Sequence, residues 1–294
     1  MWAMMILDDA EVLAKLSALE AVSAMRDALV AFHRGQLVAP PRAEAVLTFT
    51  AGRLVGHWYG FRSYARHVGG DQIVALHTEP DGRLAALATG PSLGAYRTGA
   101  LGGAAVDALA RADAATLGVI GSGQQAWTQV WAIHAVRPLS DVVVYSPTHE
   151  HRVNFSDRVY RELGVPITSV DSPVEAVRGR DIVVVATSSR TPVIQASWIS
   201  PGTAVTTLGP KQRGAAEFGP DLAGAADVIV TDSPPQLAAL DPPALLDPAA
   251  VGSLGGVIAG DAPGRTGPEQ VTLYESVGLA GTEPYLLARL MGLT

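Results

Sequence analysis

The sequence predicts an α/β fold in which a parallel sheet is joined to a smaller α+β part, and three observations carry this. The segment Thr116 to Ala126, Thr-Leu-Gly-Val-Ile-Gly-Ser-Gly-Gln-Gln-Ala, reads as a buried strand running into a Gly-x-Gly-x-x-Ala turn, with Trp127 to Ala135 continuing as a helix. Beyond it, apolar runs alternate with helical stretches, the pattern of a parallel sheet. Ahead of it lie short strands and a hairpin signal, the pattern of an antiparallel one.

In chain order, Asp8 with Glu11 and Ser17 with Glu20 form capping-box pairs, each opening a helix. The second helix carries Ala21, Ala24, Met25, Leu29 and Phe32 at helical spacing and stops at Gly35. Pro40-Pro41-Arg42 breaks the chain into an extended region. Strand-like pieces follow at Ala45 to Phe49, Arg53 to Trp58 and Arg62 to Tyr64. Ile73 to His77 and Leu84 to Ala88 flank Asp81-Gly82, a hairpin turn signal. An alanine-rich helix from Gly99 to Ala112 leads into the Thr116 strand. Asp141 to Tyr145, Asp181 to Ala186, Ala204 to Leu208 and Val228 to Thr231 are the further strands of the parallel sheet. Ser233 to Gly267, rich in proline, glycine and alanine, reads as loops with short helices, and Glu283 to Met291 as a C-terminal helix.

The glycine turn carries chemistry. Only glycine turns tightly enough at Gly121 and admits a pyrophosphate at Gly123, while Ala126 is small enough for the helix to pack on the strand. The free N–H groups and positive end of that helix suit phosphate. A Rossmann-type domain binding a dinucleotide through Gly121, Ser122, Gly123, Gln124, Gln125 and Ala126 is therefore expected, although such a turn also occurs as a purely structural element. The second strand ends at Ser146, about twenty residues on, where these folds read the adenosine ribose. NAD sites usually have an acid there; here Tyr145-Ser146-Pro147-Thr148-His149, followed by Arg152, offers hydroxyls and a cation. The residues favour NADP at Ser146, Thr148 and Arg152, with NAD possible; the same segment also suits a plain turn and helix cap.

Composition excludes several classes. Hydrophobic residues at 48% and charged residues at 17% of 294 describe a folded chain long enough for two cores. A formal net charge of −7 argues against nucleic acid or an anionic membrane as partner. There is no cysteine, so thiolate chemistry and disulfides are excluded. No basic-then-apolar leader opens the chain and no apolar run is of spanning length, so a cytoplasmic protein is expected. Of the seven histidines, His149 and His151 come nearest to metal-ligand spacing but would not face together, and no metal site is expected. Gly-x-Ser-x-Gly is absent.

Arg97-Thr98-Gly99-Ala100, the helix ending Leu109-Ala110-Arg111-Ala112-Asp113-Ala114, and the turn from Leu117 to Ala126 together resemble the signature of the ornithine cyclodeaminase and mu-crystallin family. Pro41-Arg42, the run Thr187 to Ile194, Trp198 to Gly202 and Val271 to Ala280 extend the resemblance over nearly the whole chain. It implies an α+β substrate and dimerisation domain (residues 1–112 with 268–294) interrupted by a Rossmann-type NAD(P)-binding domain (residues 113–267). It also implies a homodimer, a small-molecule substrate and hydride transfer between a nicotinamide and a carbon bearing nitrogen, usually beside a carboxylate. Thr98, Thr187 and Ser188 join the cofactor-binding residues on this ground.

The resemblance implies a carboxylate clamp of Arg42 and Arg97, since a guanidinium donates two parallel hydrogen bonds to a carboxylate. The family's lysine after a glycine and an apolar residue falls on Arg62 of Gly60-Phe61-Arg62, which can bind a carboxylate but is a poor proton carrier at neutral pH. Its acid/base aspartate falls on Lys211 of Gly209-Pro210-Lys211-Gln212-Arg213, and no aspartate lies between Leu208 and Glu217. Both departures weaken an ornithine cyclodeaminase-like deaminase, because removing hydride from an amine first needs a base. A preformed imine needs less help. Lys211, desolvated among Arg62, Arg97 and Arg213, would have the lowered pKa of a general acid, or it is a solvated loop lysine. Glu283 is expected to cap the last helix. Two readings stand: an NAD(P)H-dependent reductase of an imine or ketimine next to a carboxylate, with Lys211 and Arg62 catalytic, or a non-catalytic dinucleotide-binding protein of crystallin type.

Overall fold

The computed structural model describes residues 4–44, 46–65 and 71–293. The N-terminal part comprises β1 (Met5–Leu7), α1 (Asp9–Lys15), α2 (Ala18–His33), β2 (Leu37–Val38), β3 (Ala43–Glu44), β4 (Leu47–Leu54), β5 (Trp58–Ala65), β6 (Gln72–Thr78), β7 (Leu84–Thr89) and α3 (Ser92–Leu109). Its seven-stranded sheet runs β1-β7-β6-β5-β4-β2 with β3 also on β4, antiparallel except where β1 joins β7. The expected capping box at Asp8 and Glu11 forms, and Ser17 accepts from the Glu20 N–H. Of the strand predicted at Ala45 to Phe49, Ala45 lies outside the described residues and β4 begins at Leu47. The piece predicted as one strand from Arg53 to Trp58 is a hairpin corner instead. Gly56, at φ 84°, turns the chain between β4 and β5 in a conformation that side chains disfavour.

Alternation along β4 and β5 decides which side chains meet the core. Thr50, Gly52, Trp58, Gly60 and Arg62 face the covering helices, where α2, α3 and α10 build a core around Met25, Leu29, Leu101 and Trp58. Phe49, Tyr59, Phe61 and Ile73 lie on the opposite face. The alanine-rich helix starts seven residues before the predicted Gly99, so Arg97 and Thr98 sit within α3. It packs hard on α4: a Cβ on Gly99 would fall 2.3 Å from the Thr128 carbonyl oxygen.

The C-terminal part comprises β8 (Thr116–Ile120), α4 (Gln124–Val136), β9 (Asp141–Tyr145), α5 (His149–Leu163), β10 (Ile167–Ser169), α6 (Pro173–Val177), β11 (Ile182–Val185), β12 (Ala204–Thr207), the small hairpin β13 (Lys211–Gln212) and β14 (Ala215–Ala216), α7 (Pro220–Ala225), β15 (Val228–Thr231), α8 (Pro234–Ala238), β16 (Gly252–Ser253), α9 (Leu254–Ala259), β17 (Thr272–Glu275) and α10 (Thr282–Leu290). The eight-stranded sheet, ordered β10-β9-β8-β11-β12-β17-β15-β16, is parallel throughout. Its strands are near-continuous valine and isoleucine runs because both faces are covered. The Val271 segment was not read as a strand; β17 is a central one, between β12 and β15. Among the described residues no helix is long and apolar enough to cross a membrane.

Candidate functional site

Two clefts of about 650 Å³ each open at the carboxyl ends of the parallel strands and share Gln125, Leu208 and Gly209. The first is walled by the β8–α4 turn, the end of β9 and the loop after β11. Gly121 adopts φ 110°, and a Cβ there would meet the Ala186 carbonyl oxygen at 2.3 Å. Gly123 differs: its backbone is ordinary, and a Cβ would find no atom within 4 Å. That glycine keeps cleft space open. No side chain caps α4, which leaves its first-turn N–H groups at the cleft for an acceptor. These features fit the diphosphate of a dinucleotide.

Of the residues expected there, Ser122, Gln124, Ser146, Thr148, Thr187 and Ser188 line this cleft. Ala126 does not; fully buried, it packs under the helix. Thr98 lines the second cleft instead, its hydroxyl donating to the Gly94 carbonyl. Arg152 turns inward, donating to the Ser146 carbonyl at 3.0 Å and pairing with Asp171. It braces the Ser146 turn from behind, and His151 is the nearby basic side chain on the cleft.

The second cleft is polar, and Arg42, Arg97 and Lys211 contribute its cations. Arg42 is tethered at both ends: its N–H donates to Gln236 at 2.8 Å and its guanidinium to the Val277 carbonyl. The loop carrying Val277 is fixed by buried Asp232, which accepts from the Val277, Gly278 and Leu279 N–H groups at 2.8, 2.9 and 2.7 Å. Arg97 is held by Glu283, with Nε at 2.8 Å and Nη2 at 2.6 Å from one carboxylate oxygen. Its Nη1, beside Gly278, is buried without a hydrogen-bond partner among the described residues. That free donor pair awaits an acceptor.

Arg62 is not brought to either cleft. Strand parity aims it at the covered face, where it reaches Glu283 at 2.7 Å and Gln72 at 2.5 Å and stacks on Tyr64. Glu283 is therefore no helix cap, for Gly281 takes that place; it is the buried anion between two arginines. Burial by itself would raise its carboxyl, but Arg97 and then Arg62 outweigh this and hold it at about 2.

Lys211 is buried, and its expected company is corrected too. Arg213 is exposed and Arg62 is paired elsewhere. The charges acting on Lys211 are Glu275, Glu217 and Asp232, which favour its ammonium, and Arg42, which opposes it; burial dominates and lowers its pKa. Nζ donates to the Leu208 and Gly209 carbonyls at 3.2 and 2.5 Å. Glu217 fixes that loop, accepting from the Leu208, Gly209 and Thr187 N–H groups and the Thr187 hydroxyl. Gln236, Asp232 and Glu275 escaped the sequence reading because their partners are distant in the chain and no local pattern marks them.

Glycine turn, parallel sheet and second cleft define a Rossmann-type protein with a cation-lined pocket opening beside the nucleotide groove. The chain belongs to the ornithine cyclodeaminase/mu-crystallin family, whose model matches residues 61–289. It is 35% identical over 218 residues to the Delta(1)-pyrroline-2-carboxylate reductase of Bacillus cereus, a match spanning 71% of this chain and 66% of that protein. The chain thus matches just under two thirds of that relative's length. It superposes with a TM-score of 0.88, at 26% identity and covering 98% of this chain and 96% of the other, on Thermococcus litoralis Delta(1)-pyrroline-2-carboxylate reductase in complex with NADH and L-proline. A probable ornithine cyclodeaminase from Bordetella pertussis gives a TM-score of 0.89 at 27% identity, covering 98% and 96% of the two chains.

Proposed function

We propose that this chain is a nicotinamide dinucleotide-dependent oxidoreductase that reduces an imine or ketimine beside a carboxylate. One observation carries the reading: the glycine-turn cleft opens at Gln125, Leu208 and Gly209 into a pocket holding Arg97, Arg42 and Lys211. The bound dinucleotide, NADP or NAD, supplies the hydride. The Gly121 to Gln125 turn would hold its diphosphate, and Ser146 and Thr148 would flank its ribose, where neither an acid nor a free arginine stands. Arg97 Nη1 would take the substrate carboxylate, with Arg42 closing the other side. Lys211, kept on the cleft by two carbonyls, would protonate the substrate nitrogen.

The relatives' activities support this reaction class. The test is oxidation of NADPH and NADH against a panel of cyclic imines and keto acid–amine mixtures. Turnover is expected, and Lys211→Met should lower kcat at least about tenfold with cofactor affinity intact. Tight cofactor binding without turnover would favour the non-catalytic reading instead.

We further infer a homodimer formed through the outer face of the seven-stranded sheet. Phe49 and Phe61 stack there at 5.1 Å, and Tyr59, Ile73 and Leu47 are exposed around them.

A further inference from the structure

One titratable group beside the site has no role in the chemistry described above. Glu275 ends β17, wholly buried, and neither carboxylate oxygen has a hydrogen-bond partner among the described residues. That is unusual for a carboxyl in a protein interior. Glu217 and Asp232, the other buried acids acting on Lys211, are each saturated with backbone N–H donors. Glu275 pairs in register with Thr207 of β12, one residue before the Leu208 carbonyl that holds Lys211 Nζ; Lys211 is the opposite charge that acts on it most strongly, and Asp232 a like charge. Lys211 in turn faces Glu275, Glu217, Asp232 and Arg42, with Glu275 the strongest of these. Two of the three Nζ donors are committed to carbonyls, so one remains for the cleft or for Glu275.

We propose that Glu275 is a positioning residue that acts through Lys211, its buried and unpaired charge keeping the ammonium protonated until it delivers a proton to the substrate nitrogen. This rests on the reductase reading. The proton balance closes. Lys211 gives its proton to the imine nitrogen, hydride from the dihydronicotinamide adds to the adjoining carbon, and the amine product forms. Solvent entering the cleft reprotonates the neutral Lys211 amine after product leaves, a step the Glu275 charge favours. Burial pushes the Glu275 carboxyl up to about 7, so its charge is present from neutral pH upward.

The chain has two lysines, Lys15 and Lys211, so selective lysine labelling gives two side-chain NMR signals, with exposed Lys15 as internal reference. In the full-length protein, Glu275→Gln should lower the Lys211 titration midpoint by about one pH unit or more, because an anion favouring its charged form is gone. The alkaline limb of kcat should move down in pH by the same amount while KM holds. Glu275→Leu, which removes the same charge and fills the buried position with apolar atoms, should give the same Lys211 shift. An unchanged Lys211 midpoint in both variants would overturn the proposal. Absence of turnover by the unsubstituted enzyme on every imine would refute the reductase reading and the relay with it, an outcome the NMR titration registers separately.

Discussion

Replacing Glu283 by glutamine tests the buried charge arrangement behind the second cleft. The carboxylate is fully enclosed and serves two guanidinium groups whose side chains are 11% and 9% exposed. Glutamine keeps the shape and removes the charge, leaving two interior cations without an anion. Breaking a buried pair in this way costs about 3–5 kcal/mol. The titration of Glu283 gives an independent figure. A carboxyl held at about 2 instead of its ordinary 4.5 contributes about 3 kcal/mol at neutral pH. Because the folded-state pKa is depressed, this stability is present above pH 4.5 and is lost as pH falls towards 2. Urea unfolding should show the variant about 3 kcal/mol less stable at pH 7, with the gap closing by about 2 kcal/mol at pH 3. A loss under about 1 kcal/mol at pH 7, or one of equal size at both pH values, would refute the reasoning.

Four further outcomes follow from the geometry. Gly123→Val should leave the melting temperature within a degree or two but weaken dinucleotide binding at least about tenfold, since its backbone is unstrained and the added atoms fill the cleft; scanning calorimetry reads the first and titration calorimetry the second. Arg97→Lys should raise KM for a carboxylate substrate about tenfold or more with a smaller effect on kcat, because one ammonium cannot serve both Glu283 and the cleft. Phe49→Glu should halve the mass measured by size-exclusion light scattering, and an unchanged dimer would move the interface off this sheet face. Lys211→Met should slow turnover without altering cofactor affinity, and equal rates would remove its acid role.

Much of this protein is written locally in its sequence. The β8–α4 turn, the valine-rich strands and the capping boxes rest on neighbours a few residues apart, so glycine spacing, apolar runs and Asp-x-x-Glu suffice to find them. Arg97 and Arg42, expected from the sequence to clamp a carboxylate, both reach the second cleft. Other assignments failed where the deciding partner is far along the chain. Arg62 leaves the site because strand parity aims it at Glu283, 221 residues away. Arg152 is spent on Ser146 and Asp171, and β17 joins the parallel sheet although its sequence neighbours belong to loops and the last helix. The sequence alone determined the fold class, the nucleotide turn and the cations available to the site, since these depend on local spacing and side-chain chemistry. Only the tertiary structure decided which cations stay free and which are neutralised, because Coulomb attraction and desolvation depend on distance through space.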